Sequence, residues 1–278
     1  MISFVEFVNK EADVIWRDVT DKHRTESLVK LDRFCGFAGY GERPLDSFKP
    51  KDIHRFQDHL SHSGLTPNTI NHYNTAIKSV FRHAVRSEFI DREPQFNWFK
   101  VNRSGHGRVF TENEIKNTES FLRKTNHEWV ADLFVIGLNT GMRLGEIRKI
   151  GTELGKIEIV GGDAFCRLYA TKNGDNRMVP LNDRAMAAIR RLGGCPNDHY
   201  SHQTFYETWR RARYRVAPGD KTFKFHACRN TAITVMAERG VQPLTVAKMV
   251  GHRSMQTTLG YYKASTSGLK DASDQLNL

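Results

Sequence analysis

Apolar residues recur every three to four positions along the first hundred residues of the chain. Phe4, Phe7 and Val8 begin this pattern, which continues to Ile15 and Trp16, and such a spacing places side chains on one face of a helix. Proline and glycine mark where further helices start and stop. Three more helices are predicted, from about Thr25 to Phe37, from Pro50 through Leu60 to Ser63-Gly64, and from Thr66-Pro67 through Phe81. The first hundred residues are therefore predicted to be all helical.

The period of the hydrophobic pattern changes between residues 156 and 181. Lys156–Val160, Phe165–Ala170 and Met178–Leu181 have the length and composition of short strands. The turn sequences Gly161-Gly162-Asp163 and Asn173-Gly174-Asp175 separate them. These three segments are predicted to form a small antiparallel sheet.

Helical patterns return on both sides of this predicted sheet. Before it, Thr111 and Glu114 have the spacing of a capping box, and a strongly apolar helix runs from Trp129 to a break at Asn139-Thr140-Gly141. After it, helices are predicted near residues 183 and 204 and over residues 226–240 and 243–250. The second part of the chain therefore combines many helices with one small sheet.

The length of 278 residues is enough for two domains with separate cores. We place a helical domain at residues 1–98, a linker rich in basic residues, glycine and serine at 99–108, and a second domain at 109–278 that includes a polar C-terminal tail. The predicted fold class is mainly α, with an α+β second domain that carries the three-stranded antiparallel sheet.

The positive charge is concentrated in the second part of the chain. The net charge is +11, yet residues 1–100 hold 15 Lys+Arg against 14 Asp+Glu, whereas residues 101–278 hold 27 against 17. A basic excess of this kind favours a polyanionic partner. It is also compatible with a merely basic globular protein, so charge alone does not decide the function.

The four cysteines, at positions 35, 166, 195 and 228, are scattered and include no CxxC pair. This spacing is typical of reduced thiols in a cytoplasmic protein and does not suit a zinc site. The longest apolar stretch, near Leu133–Leu138, is too short to span a membrane. We therefore expect a cytoplasmic protein without a metal, a cofactor or a membrane partner.

The helix predicted after Thr66 offers a candidate surface for the DNA backbone. No Asp or Glu occurs from His59 to Ser87, although basic side chains and histidines are present. The candidate DNA contacts are Thr66, Asn71, Lys78 and Arg82 in this region and Lys100, Arg103 and Arg108 in the linker. Such a surface suits phosphate contacts, but a solvated helix face has the same composition.

Six residues with complementary chemistry follow one another in the basic part of the chain. Arginine forks bind the non-bridging oxygens of a phosphate, histidine and lysine transfer protons, and tyrosine can act as a nucleophile. The six are Arg143, Lys172, His226, Arg229, His252 and Tyr261. This set predicts an enzyme that breaks a phosphodiester by forming a covalent bond to the phosphate.

The motifs around these residues resemble those of the tyrosine recombinase (phage-type integrase) family. They are Thr140-Gly-Met-Arg143-Leu-Gly-Glu146, His226-Ala-Cys-Arg229, Gly251-His252 and Tyr261. The resemblance is strong over residues of about 107 to 265 and covers the first hundred residues only as a helical pattern. It implies a helical, SAM-like core-binding domain followed by a catalytic domain, and it favours DNA contact by the helix after Thr66.

The resemblance also implies a role for each residue of the site. Tyr261 would be the nucleophile, since it lies nine residues after His252 as the family's tyrosine does. The neighbouring Tyr262 is its competitor, because adjacent helical side chains point about 100° apart and only one can face the site. Arg143 and Arg229 would clamp the scissile phosphate.

The remaining groups would handle protons and orientation. His226 would accept the tyrosine proton, and His252 would donate a hydrogen bond to the phosphate. Lys172, on the predicted hairpin, would protonate the leaving 5′-oxygen. Glu146 would be a supporting carboxylate. The sequence departs from the family pattern on either side of the second arginine, where Cys228 and Asn230 replace the common leucine and histidine.

The function implied is site-specific DNA recombination through a 3′-phosphotyrosine, without metal or ATP. The partners implied are double-stranded DNA with a core-type site and further copies of the chain, which form a homotetramer in the synaptic complex. The tail after Ser265 would dock on a neighbouring subunit of that tetramer. DNA-bending accessory proteins are compatible with this interpretation. We expect no extra N-terminal domain. Two alternatives stay open: a type IB topoisomerase with the same chemistry, and a DNA-binding regulator that has kept the fold but lost catalysis.

Overall fold

Two units make up the chain, Met1–Ser104 and Gly105–Leu278. The computed structural model describes residues 2–101, 107–169 and 176–262. Arg103, Lys172, the turn Asn173-Gly174-Asp175 and the tail after Ser265 lie outside these described residues. No helix in the described ranges is long and apolar enough to cross a membrane.

Besides two short 3-10 helices, at Phe37–Glu42 and Leu45–Ser47, the described part of the first unit contains four α-helices, as the hydrophobic spacing predicts. They are α1 (Phe4–Ile15), α2 (Asp21–Gly36), α3 (Pro50–His62) and α4 (Pro67–Arg86). Side-chain caps start three of them: Ser3 forms a capping box with Glu6, and the hydroxyls of Thr20 and Thr66 each accept a backbone N–H. Each cap therefore fixes the residue at which its helix begins.

Aromatic side chains fill the core of the first unit. The ring of Phe4 lies 5.0 Å from that of Phe34 and 5.5 Å from that of Phe81, centroid to centroid. Phe34 also meets Phe56 edge-on at 5.0 Å. These distances and tilts are the favourable geometry for aromatic pairs, so α1, α2, α3 and α4 share one core.

Besides a short 3-10 helix at Pro196–His199, the second unit contains eight α-helices and three strands among its described residues. They are α5 (Glu112–Arg123), α6 (Trp129–Thr140), α7 (Leu144–Ile147), β1 (Gly155–Val160), β2 (Asp163–Leu168), β3 (Arg177–Pro180), α8 (Asp183–Arg191), α9 (His202–Val216), α10 (Ala227–Glu238), α11 (Pro243–Val250) and α12 (Met255–Leu259). The fold class expected from the sequence is thereby confirmed. The short α12 was not predicted, because five residues carry too little periodicity to be recognised.

The three strands form one antiparallel sheet in the order β1-β2-β3. Val160 pairs directly with Asp163, so β2 starts two residues earlier than the sequence pattern suggests. The reason is the turn: Gly161 and Gly162 both have positive φ, 59° and 90°, and two such residues alone close a tight hairpin. Asp163 is therefore a strand residue.

Helix α6 is the centre of the second unit. Eight consecutive residues, from Val130 to Gly137, are buried, and the helix packs against α5, α8 and α10. Its buried carboxylate, Asp132, is held by Arg123 at 2.7 Å and by Arg191 at 2.6 Å. The helix ends at Gly141, whose left-handed conformation (φ 65°) turns the chain toward α7.

Candidate functional site

Five of the six candidate catalytic residues line one cleft in the second unit. They are Arg143, His226, Arg229, His252 and Tyr261. These residues are up to 118 positions apart in the sequence, so the fold brings them together. Lys172, the sixth, lies outside the described residues.

Arg143 enters the cleft at the start of α7, two residues after the break at Gly141. Its backbone N–H donates to Glu146 Oε2 at 2.8 Å, and its Nη1 donates to Glu146 Oε1 at 3.0 Å. Burial raises the pKa of Glu146, but Arg177 and Arg143 outweigh this effect, so the pKa stays below its ordinary value. Glu146 is therefore an ionised carboxylate that orients Arg143.

Arg229 is a buried cation, with 2% of its surface exposed. Its Nη1 donates to the carbonyl oxygen of Gly141 at 2.9 Å. Its Nη2 has no hydrogen-bond partner in the described part of the chain. Burial and the neighbouring charge of Arg143 lower the pKa of Arg229 to about 9. A desolvated guanidinium with an unused donor is suited to an anionic ligand.

His226 lies directly before α10 and stays accessible to solvent on one side. Partial desolvation by surrounding protein, followed by the charges of Arg229 and Arg143, lowers its pKa below the ordinary value of 6.5. The imidazole is therefore neutral near pH 7. A neutral imidazole can accept a proton, as the role implied for His226 requires.

His252 follows Gly251, whose left-handed conformation (φ 70°) ends α11. Its Nδ1 is 2.8 Å from the hydroxyl of Thr258, which is fully buried. Desolvation and the nearby arginines lower the pKa of His252 to about 4. A neutral His252 held through Nδ1 is able to present Nε2–H to an oxygen in the cleft.

Of the two neighbouring tyrosines, Tyr261 faces the cleft. Its hydroxyl donates to Oδ1 of Asn230 at 2.9 Å. Burial raises the pKa of Tyr261, and Arg229 opposes this effect. The hydroxyl of Tyr262 instead donates to the carbonyl oxygen of Val241, outside the cleft. The hydroxyls of Tyr261, the candidate nucleophile, and of Tyr262 thus have different surroundings.

Asn230, one of the departures from the family pattern, therefore contacts the candidate nucleophile. Its Nδ2 donates to the carbonyl oxygen of Arg108 at 3.3 Å. Because that carbonyl can only accept, it fixes the orientation of the amide and leaves Oδ1 to face Tyr261. Cys228, the other departure, is a buried core residue.

Arg177 at the start of β3 supports the site from outside the cleft, and the sequence analysis missed it. Its guanidinium donates to both oxygens of Glu146, from Nη1 at 3.0 Å and from Nη2 at 2.8 Å. A signal was present in the strand pattern: a period of two places Arg177 on the same face as the fully buried Val179. An arginine on the inner face of a strand requires a buried acid as its partner.

Three of the seven predicted DNA contacts have side chains that are bonded to other parts of the protein. Asn71 forms two hydrogen bonds with the backbone of Phe99, and Lys78 forms an ion pair with Glu93 at 3.2 Å. The stretch from His59 to Ser87 contains no acidic residue, but in the structure Glu93 from outside it neutralises Lys78. Arg108 is held between Glu114 and Asp220, and its contact with DNA stays a prediction.

The other four candidates have no such strong internal bond, or are not described. Thr66 caps α4, while Arg82 and Lys100 are exposed to solvent. Their contact with DNA stays a prediction. Arg103 lies outside the described residues.

Helix α9 carries a further basic surface that the sequence analysis did not single out. Arg210, Arg211 and Arg215 are exposed, and Tyr214 is 78% exposed. One cavity is lined by Arg210, Arg213 and Tyr206 from this helix together with Arg143 and His226. The run Arg-Arg-Ala-Arg-Tyr-Arg at residues 210–215 was the available signal.

Comparison with known families places the chain. The phage integrase family model matches residues 108–267, and the phage integrase SAM-like domain model matches residues 2–100. The first match alone covers more than half of the chain. The protein therefore belongs to the phage integrase family, as its motifs indicate.

Individual relatives are distant. The chain is 23% identical over 267 residues to the transposase from transposon Tn916 of Enterococcus faecalis, which covers 81% of this chain. It spans 65% of that protein's length, just under two thirds. It is 26% identical over 243 residues to tyrosine recombinase XerA of Pyrococcus horikoshii, covering 82% of this chain and 80% of that protein.

Solved structures share the fold. The Tn1549 transposon integrase in complex with a circular intermediate DNA superposes with a TM-score of 0.76 at 18% identity, over 99% of this chain and 100% of that chain. A lambda integrase dimer bound to a COC′ core site gives 0.74 at 15% identity, over 94% and 96%. Both likenesses extend over the two units of the chain.

Proposed function

We propose that this protein is a site-specific DNA recombinase, which cleaves and rejoins strands through a 3′-phosphotyrosine intermediate. The observation that carries the proposal is the buried Arg229, which lines the cleft beside Arg143 and whose Nη2 has no hydrogen-bond partner among the described residues. A scissile phosphate supplies the acceptor and the negative charge that this guanidinium requires. DNA is also the ligand of the Tn1549 and lambda integrase structures that share the fold.

In the proposed reaction the Tyr261 oxygen attacks phosphorus and the bond from phosphorus to the 5′-oxygen breaks. The hydroxyl that donates to Asn230 turns toward the phosphate, and its proton passes to the neutral His226. The leaving 5′-oxygen takes a proton, for which Lys172 is the proposed donor. Rejoining is the reverse, with a 5′-hydroxyl as nucleophile, so the phosphodiester bond energy is conserved.

The cleft stabilises charge that develops in the transition state. Arg143, Arg229 and His252 offer fixed donors to the equatorial oxygens of phosphorus, where negative charge accumulates. Loss of one such donor in an enzyme lowers the rate by roughly 10²–10³-fold. Because the donors are already oriented by Glu146, Gly141 and Thr258, little reorganisation is needed when DNA binds.

Covalent trapping tests the reaction directly. Sheared genomic DNA of the source strain, nicked lightly with DNase I, is incubated with protein, and adducts that survive SDS are recovered and sequenced. We expect adducts with the wild type and with Tyr262→Phe, and none with Tyr261→Phe. Adducts lost only with Tyr262→Phe would assign the other tyrosine as nucleophile. Tight binding by the wild type without any adduct would favour a DNA-binding regulator.

Strand exchange distinguishes a recombinase from a topoisomerase. A recovered site is placed on two labelled duplexes and on a supercoiled plasmid. We expect exchange of ends between the duplexes; relaxation of the plasmid without exchange would favour the type IB topoisomerase. Exchange needs two cuts on each of two duplexes, so we propose a homotetramer in the synaptic complex, the state of a lambda integrase with the same fold on a Holliday junction.

The C-terminal tail is proposed to join neighbouring subunits in that tetramer. Deletion of residues 266–278 is then expected to weaken tetramer formation on DNA and to leave binding of one protomer unchanged. Sedimentation of the protein–DNA complexes measures this, and an unchanged tetramer would refute the role of the tail.

The basic surface of α9 is proposed to bind the DNA backbone beside the cleft. Replacing Arg210 and Arg213 by glutamine is expected to reduce the slope of log affinity against log salt by about two, because each phosphate contact contributes roughly 0.9 to that slope. Arg184→Gln is the matched control, since this arginine is exposed on α8 and pairs with Glu119. Equal slopes for the wild type and both variants would exclude DNA binding by this surface.

A further inference from the structure

Arg177 makes three hydrogen bonds that use every nitrogen of its guanidinium. Two of them form the bidentate pair with Glu146, and Nε donates to the carbonyl oxygen of Met249 at 3.1 Å. The pair is shielded from water, with 9% of the Arg177 side chain and 6% of the Glu146 side chain exposed. This arginine therefore ties β3 to α7 and to the end of α11.

The contact with α11 extends to Gly251. A Cβ atom on this glycine would lie 2.4 Å from Nη1 of Arg177, so the chain leaves the helix directly over the guanidinium. The next residue is His252. The same arginine thus sets where the segment that carries His252 begins.

Each of the segments joined by Arg177 carries a candidate catalytic residue close by in sequence. Arg143 is three residues before Glu146 and shares its Oε1 oxygen. His252 is three residues after Met249, and Lys172 is five residues before Arg177. A change in the guanidinium would therefore reach more than one catalytic group.

The charges at the junction of Arg177, Glu146 and Arg143 also favour phosphate binding. One carboxylate, Glu146, faces two guanidinium groups, and Arg177 occupies both of its oxygens while Arg143 shares one. The junction consequently has an excess of positive charge. That excess lies on the side of Arg143, whose side chain is 30% exposed and lines the cleft.

We propose that Arg177 is a positioning residue, which holds Arg143 and His252 in the relative placement needed to grip one phosphate. The inference rests on the proposed function, although the anion it concerns can be inorganic phosphate as well as DNA. Arg177 itself does not line the cleft. Its contribution depends on the planar fork, which lysine cannot supply because an ammonium group offers a point charge without fixed geometry.

The test is Arg177→Lys, which keeps the charge and removes the fork. We expect the single-turnover rate constant for adduct formation at saturating DNA to fall by roughly 100-fold, the loss that a misplacement of about 1 Å produces. The dissociation constant for DNA is expected to change by less than about threefold, because most phosphate contacts lie elsewhere. A folding defect alone would not separate these two quantities.

A matched control is available on the same sheet. Arg167 also makes a bidentate pair, with Glu158 at 2.7 and 2.9 Å, but on the strands away from the cleft. Arg167→Lys is expected to behave as the wild type. If Arg177→Lys does not fold, the double variant Glu146→Gln with Arg177→Met removes both buried charges and is expected to show the same slow cleavage.

Thermal stabilisation by inorganic phosphate gives a readout that does not need cleavage. We expect phosphate to raise the denaturation temperature of wild-type protein and of Arg167→Lys, and the concentration required to be at least about tenfold higher for Arg177→Lys. If the wild type forms no adduct on any DNA, the proposed function fails while this measurement still decides the role of Arg177. Wild-type cleavage or wild-type phosphate affinity in a folded Arg177→Lys protein would overturn the inference.

Discussion

Replacing Arg229 by methionine is expected to abolish cleavage and yet stabilise the DNA-free protein. Arg229 is 2% exposed, and burial lowers the pKa of its guanidinium from its ordinary value to about 9. The folded state therefore binds this proton less tightly than the unfolded state, which at any pH below about 9 destabilises the fold by about 5 kcal/mol at roughly 1.4 kcal/mol per pKa unit. Methionine removes the charge and fills a similar volume with an adaptable side chain.

The opposing contribution is the lost hydrogen bond to Gly141. A bond from a charged donor contributes roughly 1.5–3 kcal/mol, so the net change in the free energy of unfolding is a gain of about 2 kcal/mol. For a unit of this size that corresponds to a rise in denaturation temperature of roughly 4–8 °C. In phosphate, the wild type is expected to have a higher denaturation temperature than Arg229→Met, because phosphate neutralises the buried cation only in the wild type.

Circular dichroism during heating at pH 7, with and without phosphate, measures both effects. Arg190→Met is the matched control, since Arg190 is exposed on α8 and its replacement is expected to change the denaturation temperature little. Denaturation of Arg229→Met at a lower temperature than the wild type in phosphate-free buffer would refute the reasoning. So would adduct formation within tenfold of the wild-type rate.

Three further predictions concern neighbouring groups of the cleft. Because the pKa of His226 is lowered from its ordinary value of 6.5 in the DNA-free protein, the second-order rate constant for adduct formation should still exceed half of its maximum at pH 6.5; a midpoint above 6.5 contradicts this. Thr258→Val removes the hydrogen bond to His252 and should slow cleavage by about tenfold with unchanged DNA affinity; an unchanged rate excludes that role. Gly251→Ala should destabilise the protein by over 2 kcal/mol in urea denaturation, because strain from positive φ (about 1 kcal/mol) adds to the clash of the new Cβ with the Arg177 guanidinium. Gly240→Ala, which has positive φ but open space around the Cβ, should lose only about 1 kcal/mol. Equal losses of stability in the two variants would show that the clash contributes nothing.

The sequence predicted those parts of the site that lie in local motifs. Arg143 follows a glycine break after an apolar helix, and the spacing of His226 and Arg229 places His226 at the N-cap of α10 and Arg229 in its first turn. The preference for Tyr261 over Tyr262 came from its spacing after His252 in the family resemblance, whereas helical geometry only required that one of the two be chosen. The position of α12 directs Tyr261 to the cleft and Tyr262 to Val241. This helix is too short, at five residues, to be predicted from the sequence pattern.

The sequence could not predict which charges pair with one another. Lys78 looked unpaired because its partner Glu93 lies after the end of α4. Arg108 looked like a linker cation, but Asp220, which completes its pairing, is 112 positions away. Arg177 shows the same difficulty, since Glu146 comes from another element. Ion pairs over such separations depend on tertiary packing, which local patterns do not contain.

The glycines that end α6 and α11 have a consequence for how such a protein can evolve. Gly141 precedes Arg143 by two residues and Gly251 precedes His252 by one, so a single left-handed peptide unit at a helix end directs each group into the cleft. Substitutions along the sides of these helices change packing volume without changing those two dihedral angles. The interior can therefore diverge between lineages while the geometry of the cleft is kept, which suits a family that shares one fold at low sequence identity.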